Sequence, residues 1–95
     1  MTIRVSSHGC PVCGYPDFDA LDEFGCTTFD ICPCCGVESG HGYGADVDSE
    51  HLLHLRRHWF VEESARWWST TSHAPTGWDA RAQLERAGLY VELSA

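Results

Sequence analysis

Two copies of one short pattern, Cys-x-x-Cys-Gly, constrain this chain more than any other feature of its sequence. We call them the first knuckle, residues 10–14, and the second knuckle, residues 32–36; eighteen residues separate the two cysteine pairs. Two such pairs bring four thiolates within reach of one tetrahedral ion, and the closing glycine lets each backbone turn back toward the sulfurs. The spacing therefore predicts a zinc ribbon. Its predicted zinc ligands are four cysteines: Cys10, Cys13, Cys32 and Cys35.

The small size of the chain explains why it needs such a site. Its 95 residues make a single domain, and a domain of this size buries only about 60–65 % of its unfolded surface, so its apolar core is marginal. A structural metal is one remedy, because zinc contributes about 10–16 kcal/mol to small finger domains. We expect a structural Zn²⁺ with no open coordination position. Iron, in a rubredoxin-like centre with the same knuckles, is the alternative metal.

The six cysteines also allow a disulfide framework as an alternative to a metal site. However, the first residues contain no apolar stretch typical of a secretory signal, and no segment approaches the roughly eighteen apolar residues of a membrane span. The default compartment is then the reducing cytoplasm, where paired Cys-x-x-Cys motifs indicate metal sites. We therefore expect a cytoplasmic, metal-binding protein.

The composition is strongly acidic. Fourteen Asp and Glu residues oppose six Arg and no Lys, which gives a formal net charge of −8. This balance argues against nucleic acid as the main partner, because phosphate binding depends on clustered Arg and Lys. It favours a basic protein partner, although acidity can also serve solubility alone. The sequence leaves the oligomeric state open.

Short strands are predicted around the two knuckles. Ile3 and Val5 alternate with polar neighbours and indicate a first strand. Residues 15–23 are rich in carboxylates, as expected for the turn of a hairpin, and residues 24–31 alternate as a strand that leads into the second knuckle. The glycine-rich segment 39–45 lacks the lysine of a phosphate-binding loop, so we expect a flexible connector there.

Two helices are predicted in the second half. The first runs from about residue 49 to residue 68 or 69, is capped by Asp48 or Ser49, and packs a broad apolar sector on the ribbon. Three aromatic side chains of this sector are expected to supply most of the buried area: Trp59, Phe60 and Trp67.

A shorter second helix follows a break at residues 70–77. Trp78 is expected to pack back on the core, Asp79 caps the helix, and Gly88 ends it. Alternating apolar residues then predict a final strand beside the first one: Leu89, Val91 and Leu93.

Two cysteines fall outside the predicted ligand set. Cys34 lies inside the second knuckle, where an adjacent ion and backbone amides can lower its pKa and make it a redox or ligand-exchange group. The plainer interpretation places Cys34 in solvent or in local packing and makes Cys26 a small buried hydrophobe. A shift of register, with Cys34 replacing Cys35 as ligand, is a further alternative.

Three histidines share one face of the first predicted helix and offer a second ion site: His51, His54 and His58. They lack the glutamate of a His-Glu-x-x-His motif and lie opposite the apolar sector, so we expect a solvated polar face. Elsewhere the sequence offers no Ser-His-Asp or Cys-His arrangement and no paired carboxylates in an apolar context. We therefore predict that the protein is not an enzyme.

These motifs together resemble the bacterial cysteine-rich CPCC family, which is named for its Cys-Pro-Cys-Cys motif. The matching pieces are Cys-Pro-Val-Cys-Gly-Tyr from residue 10 and Ile-Cys-Pro-Cys-Cys-Gly from residue 31. Trp-Trp-Ser from residue 67, Gly-Trp-Asp from residue 77 and Gln-Leu from residue 83 are also similar. The resemblance covers about residues 9–85. It implies a zinc-ribbon fold with helical additions and metal binding, and it implies no established activity.

The sequence thus predicts one α+β domain over residues 1–95. A zinc ribbon (1–36) and a glycine-rich connector (37–48) precede a helical part with a C-terminal strand (49–95). The leading hypothesis is a non-enzymatic protein-interaction module that uses the metal as scaffold, such as an acidic inhibitor or immunity-type protein for a basic toxin domain. The alternative is a thiol-based redox or metal sensor in which Cys34 is the reactive group.

Overall fold

The computed structural model describes residues 1–89, which form a small α+β fold. Strand β1 (Thr2–Arg4) and strand β2 (Asp46–Asp48) form a two-stranded antiparallel sheet in which Ile3 faces Val47. Helix α1 (Ser49–Arg57) follows β2 directly and passes into a π-helical turn (His58–Glu62). Helix α2 (Ala80–Arg86) is the last regular element of the described residues.

Both helices begin at the caps that the sequence predicts. Asp48 caps α1, and its side chain accepts a hydrogen bond from the backbone N–H of Glu50 at 3.0 Å. Asp79 caps α2 in the same way through the N–H of Arg81, also at 3.0 Å. A carboxylate at this position satisfies a backbone donor that the first helical turn leaves free. Gly88, at φ +72°, lies just beyond α2, as predicted.

The first predicted strand is confirmed at β1, and its partner is β2. Val5 falls just beyond β1 and is buried, with its N–H donating to the carbonyl of Ala45 at 2.8 Å. The predicted final strand lies outside the described residues, apart from Leu89 at its start.

The predicted strand over residues 24–31 is wrong. The Asp22 carboxylate accepts hydrogen bonds from the N–H groups of Phe24 and Cys26, both at 2.9 Å, and so closes a tight turn where a ladder would continue. Phe29 then adopts φ +62°, which interrupts an extended strand. What remains is two isolated bridges, between Leu21 and Thr27 and between Ile31 and Glu38.

The first predicted helix is wrong in its length. The α-helical part ends at Arg57, and the π-helical turn ends at Glu62, so the element is shorter than predicted. Ser64 and Ala65 follow with φ +56° and +53°, and the N–H of Ala65 donates to the carbonyl of Trp59. The chain reverses there because residues 67–69 pack back on the second knuckle.

The aromatic side chains are buried to different degrees. Trp59 is almost fully buried and its indole N–H donates to the carbonyl of Arg66 at 3.0 Å. Phe60 and Trp67 are only partly buried, so they contribute less than the sequence predicts. Trp78 packs on the core as predicted and meets Trp67 edge to face, with ring centroids 5.5 Å apart. Trp67 meets Tyr15 in the same way at 5.2 Å.

The glycine-rich segment 39–45 is packed in turns against the core. The N–H of Gly40 donates to the carbonyl of Tyr43 at 2.8 Å, and Ser39 and Tyr43 are both buried. The core as a whole surrounds the cysteines of the two knuckles. Apolar side chains from both halves of the described chain pack there: Val12, Ala20, Leu21, Val47, Leu52, Trp59 and Leu84.

Candidate metal centre

The structure brings the four cysteines of the predicted ligand set into one buried cluster. The sulfurs of Cys10, Cys13, Cys32 and Cys35 all lie within 4.8 Å of one another. The Sγ atoms of Cys10 and Cys35 are 3.7 Å apart, and those of Cys13 and Cys32 are 3.6 Å apart. The cluster can hold a metal ion, and it is the one such group of three or more Cys, His, Asp or Glu side chains among residues 1–89.

These distances match a tetrahedral metal site. A Zn–S bond of about 2.3 Å places the sulfurs of a regular tetrahedron about 3.8 Å apart, close to the two measured separations. A disulfide would need sulfurs about 2.05 Å apart. All six cysteines are free thiols in the structure. The donor set therefore fits a four-coordinate thiolate-binding ion such as zinc.

The two knuckles fold in the same way. The N–H of Gly14 donates to the carbonyl of Cys10 at 2.9 Å, and the N–H of Gly36 donates to that of Cys32 at 2.8 Å. The glycines have φ +84° and +80°, a conformation that other residues adopt at a cost. A Cβ on Gly36 would lie 2.6 Å from the Cγ of Trp68. Each knuckle glycine therefore serves both the turn and the close packing around it.

Burial sets the electrostatics of the cluster. Loss of hydration raises the pKa of the Cys13 thiol. Hydrogen bonds from the neighbouring thiols, first that of Cys13, lower the pKa of Cys10. Four thiolates without a cation would repel one another in a buried site, whereas a bound divalent ion compensates their charge. The four groups are therefore suited to act together on one ion.

The backbone carbonyls of the two knuckles accept hydrogen bonds from different kinds of donor. In the first knuckle, the buried guanidinium of Arg56 donates from Nε to the carbonyl of Val12 at 2.7 Å and from Nη2 to that of Pro11 at 2.9 Å. In the second knuckle, the equivalent carbonyls of Pro33 and Cys34 accept from backbone N–H groups. These donors are Ser69 at 2.9 Å and Trp68 at 3.0 Å.

Gln83 of α2 joins the two knuckles. Its buried amide Nε2 donates to the carbonyl of Cys13 at 3.0 Å and contacts the Sγ of Cys34 at 3.4 Å. Its Oε1 accepts from the indole N–H of Trp78 at 2.8 Å. Sequence reasoning missed both Arg56 and Gln83. The available signals were an arginine inside the apolar sector of α1 and a glutamine beside a core leucine of α2.

Cys34 occupies the position in the second knuckle that Val12 occupies in the first. Both side chains are fully buried, at 0 % exposure. Cys34 therefore packs locally, and the fourth sulfur of the cluster is that of Cys35. The interpretation of Cys26 as a buried hydrophobe is wrong, because its side chain is exposed in the turn that Asp22 closes.

The three histidines of α1 and the π-helical turn form an exposed face. His51 Nε2 lies 2.8 Å from the carbonyl oxygen of Gly42, and His58 pairs with Glu62 one turn away. His54 is exposed as well. These contacts agree with the expected solvated face.

An open groove of about 920 Å³ lies beside the first knuckle. Its lining includes Ile3 of β1, Val5 just beyond that strand, Leu52 of α1 and Leu89 at the end of the described chain. His8 also lines it, with Nδ1 2.8 Å from an oxygen of Asp19. Both side chains of this pair are largely exposed, so water screens their interaction.

Comparison with known proteins gives no match to a family model, to a curated protein or to a solved structure. The resemblance to the CPCC family therefore stays a prediction. In residues 1–89 the structure contains no helix with the length and apolar character needed to cross a membrane.

Proposed function

We propose that this chain is a small cytoplasmic zinc protein that binds a protein partner and has no enzymatic activity of its own. One Zn²⁺ joins the two knuckles of a ribbon through Cys10, Cys13, Cys32 and Cys35. The observation that carries the metal assignment is the size of the sulfur cluster, with separations of 3.6 and 3.7 Å. The knuckle pattern resembles that of the CPCC family, which supports the ribbon assignment.

The zinc has a structural role in this proposal. Four thiolates fill a tetrahedral shell, so the ion holds distant parts of the chain together and leaves no position for a substrate. The chain's own residues keep the donors in place. Arg56 fixes the first knuckle, Trp68 and Ser69 fix the second, and Gln83 ties one knuckle to the other.

The absence of enzymatic activity is supported by the environment of the groove. An acid–base catalyst near neutral pH needs burial or charged neighbours that adjust its pKa. The side chains of His8 and Asp19 are 87 % and 65 % exposed, so neither is buried in the groove. We therefore assign no chemical step to this pair.

The distribution of charge supports a basic partner. Residues 5–55, which include both knuckles, carry nine carboxylates and no Arg or Lys. Residues 56–95 carry five Arg and five carboxylates. With Arg4 included, residues 1–55 therefore account for the net charge of −8, and a four-thiolate zinc centre adds about −2 there. A strongly negative segment of this kind attracts a basic protein.

The alternative function, a thiol sensor built on Cys34, has less support. Oxidation requires that the oxidant reaches the sulfur, and Cys34 is fully buried at the position of Val12. The substitution Cys34→Val separates the two functions. A binding module should keep its zinc and its partner, whereas a sensor should lose its response to peroxide.

Native mass spectrometry of the purified protein tests the zinc assignment. The wild-type chain should carry one Zn²⁺, and Cys13→Ser should lose it together with the folded state. Cys26→Ser is the matched control, because it removes an exposed thiol outside the cluster. Retention of stoichiometric zinc and an unchanged Tm in Cys13→Ser would contradict the proposal.

A further inference from the structure

We propose that residues 22–31, which we call the acidic aromatic loop, form the surface that docks the basic partner. This inference rests on the proposed function and assigns a place to its partner. The loop connects the carboxylate-rich turn to the second knuckle. Its residues 24–31 are the stretch that sequence periodicity predicts as a strand and that folds instead into part of a turn followed by isolated bridges.

Large apolar side chains are concentrated in this loop and exposed to water. Phe24 is 82 % exposed, Phe29 is 64 % exposed and Ile31 is 44 % exposed. Single exposed apolar residues are ordinary on protein surfaces, but several within eight consecutive residues of a small domain indicate an interaction site. Aromatic side chains are also enriched in protein–protein interfaces.

Hydrogen bonds close the first part of the loop into a turn. The Asp22 carboxylate accepts from the N–H groups of Phe24 and Cys26, and the N–H of Asp22 donates to the carbonyl of Cys26 at 2.8 Å. This closed turn presents Phe24 at its tip. An aromatic side chain on a fixed turn loses less conformational entropy on binding than one on a loose segment.

The second part of the loop holds Phe29 in a strained backbone conformation. Its φ of +62° is rare for a residue with a bulky side chain. One edge of the ring packs so closely that a Cβ on Gly40 would lie 2.7 Å from its Cδ1, while most of the ring faces water. Strain of this kind is found where surrounding structure imposes it, often at binding sites.

The charge of the loop indicates which kind of partner surface can bind there. Asp22, Glu23 and Asp30 belong to the loop, and Glu38 bridges to Ile31 across from it. The guanidinium of Arg4 lies beside the loop, but it is paired with Asp46 at 3.1 Å. Apolar rings among carboxylates fit a partner surface that carries Arg or Lys around an apolar pocket, since Arg pairs with carboxylates and stacks on aromatic faces.

The same charges disfavour other occupants. A second copy of this chain docked loop to loop would place carboxylates against carboxylates, which is repulsive. Nucleic acid would meet negative charge with no compensating Lys or Arg in the loop. The occupant is therefore a basic protein surface.

A phage-displayed library of random linear peptides, selected on the zinc-loaded full-length protein, tests this docking surface. We expect enriched peptides to combine Arg or Lys with aromatic or aliphatic residues. Their affinity, measured by fluorescence anisotropy, should fall as salt is raised. Phe24→Ala should weaken binding by about tenfold or more, as for a central interface residue.

Val61→Ala is the matched control, because Val61 is a half-exposed apolar residue in the part of the chain without net charge. It should change the affinity less than about twofold, as expected for a residue outside the interface. The Tm of both variants should stay near that of the wild type, since both side chains are exposed.

The outcomes separate this inference from the proposed function. If basic peptides bind but Phe24→Ala and Val61→Ala behave alike, the acidic aromatic loop is the wrong surface and the proposed function stands. If selection enriches no basic peptides, both the docking surface and the basic partner are contradicted. Loss of zinc or of folding in the wild-type protein would contradict the proposed scaffold instead.

Discussion

Replacement of Arg56 by alanine should destabilise the protein far more than replacement of its exposed neighbour Arg57. Arg56 is buried and donates charged hydrogen bonds to two carbonyls of the first knuckle, at 2.7 and 2.9 Å. The Arg56→Ala protein leaves these two acceptors, the carbonyls of Val12 and Pro11, without their donors. Each buried group left unsatisfied costs about 1–3 kcal/mol, so for two groups we expect a loss of about 2–6 kcal/mol in the free energy of unfolding.

Urea unfolding of the zinc-loaded proteins, followed by tryptophan fluorescence, measures this loss. Transfer of zinc to a colorimetric chelator measures the second consequence, a faster release of the ion from a less constrained knuckle. Arg56→Lys should keep part of the stability, because an ammonium can reach one carbonyl but lacks the fork that reaches two. Arg57→Ala should change the free energy of unfolding by less than about 0.5 kcal/mol, as is usual for surface substitutions.

The reasoning fails if Arg56→Ala and Arg57→Ala lose the same stability and release zinc at the same rate. In that case the carbonyls of the first knuckle would be satisfied by water. The packing of the knuckle, and not its hydrogen bonds, would then hold the cysteines.

Three further substitutions, one of them with a matched control, test the packing of the knuckles and the core. Gly36→Ala should lower the free energy of unfolding by about 2–4 kcal/mol, because the new Cβ would meet the ring of Trp68 and the residue has φ +80°. Gly77→Ala, at φ +73° with open space around it, should lower it by only about 1 kcal/mol. Thermal melts measure both changes. Among residues 1–89 the buried Tyr43 hydroxyl meets no partner at good hydrogen-bond geometry, although the Ser39 hydroxyl lies near it, so Tyr43→Phe should be neutral or raise the Tm; a drop of several degrees would show that Ser39 binds this hydroxyl. Cys34→Val should retain zinc by mass spectrometry, because valine fills the equivalent position of the first knuckle; zinc loss would assign Cys34 a ligand role.

The sequence predicts the parts of the fold that short-range chemistry determines. Each knuckle is set by two cysteines and a glycine within five residues, and each helix begins at an aspartate that caps its own first turn. These features depend on neighbours along the chain, so spacing alone identifies them. The gathering of the four cysteines into one cluster follows from the ligand pattern.

The wrong predictions arise where side chains compete with regular secondary structure. Alternation over residues 24–31 favours a strand, but the Asp22 carboxylate captures two N–H groups and Phe29 leaves the extended region. The apolar sector from residue 49 favours a long helix, but contacts of Trp68 and Ser69 with the second knuckle require the chain to turn back. The periodicity of apolar residues carries no information about these side-chain and backbone contacts.

The polar residues that support the centre are also invisible to spacing. Arg56 donates to residues more than forty positions earlier, and Gln83 contacts Cys13 across seventy positions. Their roles depend on how the helices pack against the knuckles. A buried charge in an apolar helical sector is the signal that would have drawn attention to Arg56.

The most direct test of the account is removal of the metal from the wild-type protein. The four cysteines occupy the middle of the core, so the fold should depend on the ion that joins them. Treatment with a strong zinc chelator under reducing conditions, followed by circular dichroism and amide NMR spectra, should abolish the dispersed spectrum, and one equivalent of Zn²⁺ should restore it. A chelated, fully reduced protein that keeps its native spectrum and Tm would contradict the claim that one metal ion holds this fold together.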